Sequence, residues 1–260
     1  MLDHLRRRTA VTVGEANRAY FDRDARDFDS AFRSPKTMHD PVRRLVQRAW
    51  KGSGPRERYL DALKLVPQEI HKLEILEVGC GHGHCSLAMA ELGARVSGID
   101  YSTSMLTIAN KNRGAVDAAI AQRCRFVHAD VFTYSPDHQV DLVVALGVVD
   151  YIAANHTREF LTRLFAFSRT WVLVAFPMKY HFFYPVRKLW LRIEKRAYVV
   201  HFSRGDVLDL DDGLDGRLMK LEKSPGYWLC LFDVSGGRRP ICSPSEKPSV
   251  TSADQGGSRT

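Results

Sequence analysis

The sequence predicts an α/β fold with a mostly parallel sheet covered by helices on both faces, and three stretches carry that reading. The first is Ile75-Leu76-Glu77-Val78-Gly79-Cys80-Gly81-His82-Gly83, an apolar run closed by an acid and then by alternating glycines. It reads as a strand that ends in a tight turn and hands over to a helix, with glycine supplying positive φ where backbone must approach a ligand. The second is Asp100, which closes the run Arg95-Val96-Ser97-Gly98-Ile99 about 20 residues beyond Gly81, the spacing of an acid on the neighbouring strand of a βαβ unit. The third is 141–147, where Leu142, Val143, Val144, Ala145 and Leu146 follow one another without alternation, as in a strand buried on both faces.

Composition sets the bounds. A chain of 260 residues with 45% hydrophobic content can bury a sizeable core. Five cysteines, an odd number in a chain of this length, do not make a disulfide framework, so reduced thiols and a cytoplasmic protein are expected. Basic residues open the chain without an apolar segment behind them, which is not a secretory signal, and the apolar stretch 140–154 is broken by Asp141 and Asp150 and too short to span a bilayer. The net charge of +8 suits nucleic acid, an anionic small molecule, a membrane surface or simply a solvated basic face.

In chain order, Phe21, Ala25, Phe28 and Phe32 form a helical stripe just after Tyr20, and a basic amphipathic helix is expected over 41–50. Gly52-Ser53-Gly54-Pro55 stops it, and 56–65 reads as a further helix before the first strand, 73–78. A helix over 85–92 ends at Gly93; 95–100 is the second strand and 104–112 the next helix. Strands follow at 125–129, 141–147 and 171–176, with a helix at 156–167. Beyond Pro177 comes an insertion crowded with aromatics and bases. Ser203-Arg204-Gly205-Asp206 resembles a capping box, and 218–223, the Ser224-Pro225-Gly226 turn and 227–234 make an antiparallel hairpin. From Gly236 on, Ser, Gly and Pro dominate, and disorder is expected.

The glycines fall at Gly79, Gly81 and Gly83 with Glu77 in front, giving E-x-G-x-G-x-G in place of the dinucleotide pattern G-x-G-x-x-G. With Asp100-Tyr101-Ser102 leading to Met105-Leu106, Asp130 after the third strand, and the strand end 144–151, this resembles the class I S-adenosylmethionine-dependent methyltransferases over 70–234. The resemblance implies a Rossmann-like seven-stranded sheet with an antiparallel C-terminal hairpin and an N-terminal helical lid at 1–69. It also implies a cofactor-binding domain at 70–235 with a substrate-cover insertion at 177–202, and a tail from 236. The cofactor is S-adenosyl-L-methionine and the product S-adenosyl-L-homocysteine. By the same resemblance, Gly79 and Gly81 approach the methionine moiety, Cys80 and Gly83 belong to the same cofactor-binding loop, and Glu77 acts through water or the adjacent backbone. Asp100 accepts from both ribose hydroxyls, Tyr101 and Met105 line the site, and Asp130 accepts from the adenine amine while the Val131 N–H serves a ring nitrogen. Leu146 and the lid residue Tyr20 complete the contacts.

For the acceptor, His181, Tyr151 and Asp150 lie on segments expected at the carboxyl edge of the sheet, and histidine suits proton transfer near neutral pH. Methyl transfer from a sulfonium needs orientation and exclusion of water more than a base. No metal is expected: Cys80, His82, His84 and Cys85 crowd together, but the intervening glycines serve the turn and no second Cys/His pair at ligand spacing follows. The strand end Leu146-Gly147-Val148-Val149 differs from the Asn/Asp-Pro-Pro-Tyr/Phe of enzymes that methylate base amines. The aromatic insertion after the fifth strand reads as a substrate cover, so a small acceptor with aromatic or apolar bulk, or an anionic one, methylated on oxygen, is expected. The insertion's spread of aromatic and basic residues is similar to the porphyrin and quinone O-methyltransferase branch. An RNA-directed methyltransferase and a non-catalytic protein of the same fold are the alternatives.

Overall fold

A computed structural model describes Asp22 and residues 55–179, 200–211 and 214–236. The expected helices before residue 51, Tyr20, the body of the insertion including His181, and the tail beyond 236 lie outside the described residues.

Helix α1 (Pro55–Leu63) starts on the proline expected to end the preceding element, because a first-turn position needs no N–H. A 3-10 turn (Ile70–Lys72) leads to β1 (Glu74–Val78), followed by α2 (His84–Glu91), β2 (Arg95–Asp100) and α3 (Thr103–Arg113). A five-residue helix, α4 (Ala118–Gln122), precedes β3 (Cys124–His128) and was not expected; no side chain caps it, so it has no signal in sequence. Strand β4 (Val140–Leu146), two 3-10 turns (Val149–Tyr151 and Ala154–His156), α5 (Thr157–Phe167) and β5 (Ser168–Pro177) come next. Helix α6 (Arg204–Asp211), β6 (Arg217–Ser224) and β7 (Tyr227–Asp233) close the fold. None of these helices is long and apolar enough to cross a membrane.

The seven strands form one sheet in the order β3-β2-β1-β4-β5-β7-β6. Pairings of β1 with β2 and β4, β2 with β3, and β4 with β5 are parallel, and β7 runs antiparallel to both β5 and β6. The chain winds outward from β1 to β3, then returns to β4, so the carboxyl ends of β1 and β4 flank the switch point where open α/β sheets bind ligands.

Side chains alternate across the pleat, which explains why the central strands read as unbroken apolar runs. Leu76, Val143, Val174 and Phe232 face α5, whose Phe160, Leu161 and Leu164 are fully buried against them. Ile75, Val144, Leu173 and Leu231 face the opposite layer, built from Tyr59 and Ala62 of α1 and Leu87, Met89 and Ala90 of α2. The register of β5 against β7 runs from Trp171↔Asp233 to Pro177↔Tyr227, which carries β5 past the expected 171–176. The capping box is reciprocal: Asp206 N donates to Ser203 Oγ at 3.1 Å and Ser203 N to Asp206 Oδ2 at 2.7 Å.

Phe160 is completely buried between α5 and the sheet. Phe160→Ala is expected to lower unfolding free energy in urea by about 3–5 kcal/mol; a loss under about 1 kcal/mol would contradict this packing.

Candidate functional site

The site is assembled where β1 turns into α2. Gly79, Gly81 and Gly83 all hold left-handed φ, at 70°, 52° and 78°. Their surroundings differ. A Cβ on Gly79 would sit 2.3 Å from Val148 Cγ2, and one on Gly83 would sit 2.4 Å from Phe126 Cζ, so these two glycines permit close packing against protein. Among the described residues a Cβ on Gly81 would meet only Met105 Sδ, at 4.0 Å, so with respect to these Gly81 turns its open side to the space above the sheet edge.

The loop uses its amides internally. Gly79 N and Cys80 N both donate to Ile99 O, at 2.8 and 3.0 Å, and Gly83 N donates to Cys80 O at 2.9 Å. Gly81 N donates to Asp100 Oδ2 at 2.8 Å. A phosphate cradle presents such N–H groups to its ligand; here those four are occupied by the protein. The expected approach of Cys80 to a ligand is corrected accordingly. Its N–H is taken by β2, and its side chain, 5% exposed, packs where Gly98 leaves room. Burial pushes that thiol well above its ordinary pKa, which disfavours a metal-binding thiolate.

Asp100, at the end of β2, accepts from Gly81 N through Oδ2 and from Ser102 N through Oδ1, at 2.8 and 2.9 Å. Desolvation raises its pKa, and its backbone hydrogen bonds oppose the rise. Each carboxylate oxygen keeps acceptor capacity, which is what a pair of vicinal hydroxyls needs. Ser102 caps α3, accepting from Met105 N at 3.2 Å. Its hydroxyl donates to Asp22 Oδ1 at 2.5 Å, so a residue from the N-terminal segment sits beside Asp100. Tyr101 is half-buried, and its carbonyl lies 3.0 Å from His128 Nε2.

Glu77 is 4% exposed and accepts a short hydrogen bond from Ser86 Oγ of α2. Burial pushes its carboxyl up to about 8, the charge of Asp100 adds to the rise, and the Ser86 hydrogen bond opposes it. Asn112 Nδ2 donates to His82 O at 2.9 Å and pins the loop from α3. Sequence reasoning missed Ser86 and Asn112, because neither contact has a signature in local spacing.

Past β3, Asp130 Oδ1 accepts from Phe132 N at 2.9 Å, and Asp130 O accepts from Thr133 N and Tyr134 N at 3.0 and 2.8 Å. In a trans peptide the C=O and the following N–H point opposite ways. With Asp130 O turned into the turn, the Val131 N–H points out of it.

At the end of β4, Leu146 is half-buried and Gly147 holds φ 85°. Tyr151 is half-buried in the 3-10 turn that follows. Asp150, expected as a candidate base, is 2% exposed; Tyr227 Oη of β7 donates to its Oδ2 at 2.9 Å, and its carbonyl accepts from Val200 N at 3.0 Å. This geometry makes it a strut between the end of β4, the hairpin and the returning insertion. The stems of the insertion meet through a Met178↔Phe202 bridge, with Lys179 N donating to Phe202 O at 2.9 Å. Gly79, Gly81, Asp100, Met105, Asp130 and Val131 thus sit along the carboxyl edge around the β1–β4 switch point.

Residues 75–170, the span that holds the glycine loop, Asp100, Asp130 and β4, match the family model described as a methyltransferase domain. This part of the chain is a class I S-adenosylmethionine-dependent methyltransferase domain. A ubiquinone biosynthesis O-methyltransferase from Methylocella silvestris is 30% identical over 145 residues, covering 52% of this chain and 52% of that protein. A trans-aconitate 2-methyltransferase from an Enterobacter species is 35% identical over 85 residues, 32% of this chain and 31% of that protein. The chain's matches thus span about a third to a half of the length of these curated relatives. The magnesium protoporphyrin IX methyltransferase of Synechocystis, crystallised with bound SAM, shares the fold of this methyltransferase domain. Its TM-score is 0.62 at 16% identity, over 83% of this chain and 93% of that one.

The buried Glu77 makes the domain's stability depend on pH. The folded chain holds this proton up to about pH 8, whereas an unfolded carboxyl loses it near its ordinary value of 4.5. The contribution is therefore complete below the unfolded pKa and is lost as pH rises through the folded one. Glu77→Gln should gain melting temperature relative to the parent, ligand-free, as buffers are taken from about pH 6 to about pH 9. Parallel curves would contradict it.

Proposed function

We propose that this chain transfers a methyl group from S-adenosylmethionine to a small-molecule acceptor, at an oxygen of an aromatic or apolar compound. The observation that carries the reading is a glycine loop that donates Gly79, Cys80, Gly81 and Gly83 N–H inward beside an acid with free acceptor capacity. That arrangement suits a nucleoside without phosphates. The names of the relatives favour O-methylation.

The residues fit such a ligand. Asp100 would take the two ribose hydroxyls, the Val131 N–H and Asp130 the adenine edge, and the open side of Gly81 the methionine backbone. Ionised Glu77 would complement its positive charge. When bound, S-adenosylmethionine supplies a methyl group already activated as a sulfonium. The chain's own work is orientation and exclusion of water. Tyr151 would shape the acceptor side, while the insertion entering at Lys179 and returning at Val200 would cover it. His181, on that insertion, is the candidate to receive an acceptor proton near neutral pH, where imidazole titrates.

Asp100→Ala should weaken S-adenosylhomocysteine binding at least roughly tenfold, since each hydrogen bond to a charged group contributes about 1.5–3 kcal/mol. It should also cost about 1–3 kcal/mol of stability, because Gly81 N and Ser102 N lose their acceptor. Unchanged affinity would remove the ribose assignment. Incubation with methyl-labelled S-adenosylmethionine and parallel panels of phenolic small molecules and RNA tests the acceptor class. Label in an alkali-stable ether of a small molecule is expected; label confined to RNA would overturn the proposal.

A further inference from the structure

The loop that follows β3 is gripped by one stripe of α5, and no part of the site described above accounts for it. Phe160, Arg163 and Phe167 of that helix and His156, which ends the 3-10 turn before it, recur at helical spacing on one side. Phe132 of the loop packs against His156 and Phe160, with ring centroids 6.4 and 6.3 Å apart. Arg163 spans the turn: its Nε donates to Val131 O at 3.1 Å and its Nη2 to Tyr134 O at 2.5 Å. The same guanidinium lies 5.4 Å over the Phe167 ring, and Tyr134 meets that ring edge-on at 5.8 Å.

We propose that Arg163 is a positioning residue for base recognition: by holding Val131 O and Tyr134 O together, it fixes the turn that aims the Val131 N–H and the Asp130 carboxylate at the adenine edge. The inference rests on the cofactor reading above and names the device that would make the site selective for adenine.

Two features give Arg163 this role. The turn's own bonds, from Phe132 N, Thr133 N and Tyr134 N to Asp130, all converge on Asp130 and leave the carbonyls of Val131 and Tyr134 outside them. Arg163 takes both carbonyls at once, which a planar guanidinium with several donors can do and a lysine ammonium does less well. The grip is also preorganised, since Phe167 holds the guanidinium face and is itself buried. A donor and an acceptor that must meet a flat base edge together need this kind of fixed geometry, because a turn free to rotate would satisfy one at the expense of the other.

The test compares the parent with Arg163→Met and Arg163→Lys, titrated calorimetrically with S-adenosylhomocysteine and with S-inosylhomocysteine, in which a carbonyl replaces the adenine amine. Amide exchange over 131–134 is followed in the ligand-free chains. The parent should prefer the adenosyl ligand at least tenfold. Arg163→Met should cut that preference to threefold or less while exchange of the turn amides speeds up at least tenfold, and Arg163→Lys should recover part of both. Equal preference in Arg163→Met and the parent would overturn the positioning role. Unchanged exchange would show that the arginine does not hold the turn. If the parent binds neither ligand, the cofactor reading fails instead, and the exchange experiment still decides whether the clamp exists. Should Arg163→Met not fold, the lysine variant carries both readouts, with full preference again overturning the role.

Discussion

The Asp100 carboxylate is the fastening on which the rest of the site depends. It accepts from Gly81 N on one side and Ser102 N on the other, and so ties the loop after β1 to the turn after β2. Two further N–H groups of the same loop, those of Gly79 and Cys80, donate to Ile99 O, one residue before it. The result is a loop held by its N–H groups from within, with the open side of Gly81 and the unused lone pairs of Asp100 left facing the sheet edge. Val148, packed where a Gly79 Cβ would be, brings the end of β4 against the same loop. The carboxylate thus sets the relative positions of two strand ends, and Val148 brings up the third.

The sheet makes that fastening possible. Its two faces bury alternate side chains of the central strands against α5 on one side and α1 and α2 on the other. Helix α5 has a second duty along the stripe Phe160, Arg163 and Phe167, which reaches the turn after β3. The strut from Tyr227 to Asp150 joins the hairpin to the end of β4 in the same manner. Burial of Glu77 under Ser86 adds a carboxyl that is costly to ionise unless a cation arrives.

Most of the architecture was legible because its determinants are local. The glycines, the acid that follows them and the unbroken apolar strand can each be read within a few residues, as can the Ser203–Asp206 capping box. What escaped the sequence is long-range. Asn112 to His82, Arg163 to Val131 and Tyr227 to Asp150 are 30, 32 and 77 residues apart, and no periodicity announces them. Asp150 shows the consequence. As a carboxylate at a strand end it reads as a candidate base, and only its tertiary partner identifies it as a strut. The inward direction of the loop amides was equally invisible, since E-x-G-x-G-x-G fixes where glycine is needed and says nothing of what each N–H meets.

The central claim is that this loop and Asp100 receive a nucleoside that carries no phosphate. Calorimetric titration of the purified chain with S-adenosylmethionine, S-adenosylhomocysteine and NAD tests it most directly. The account predicts binding of the first two in the micromolar range, about −8 kcal/mol, and none of NAD. Binding of NAD with no response to either sulfur compound would contradict it, because a pyrophosphate would then have found donors that the structure assigns to Ile99, Asp100 and Cys80.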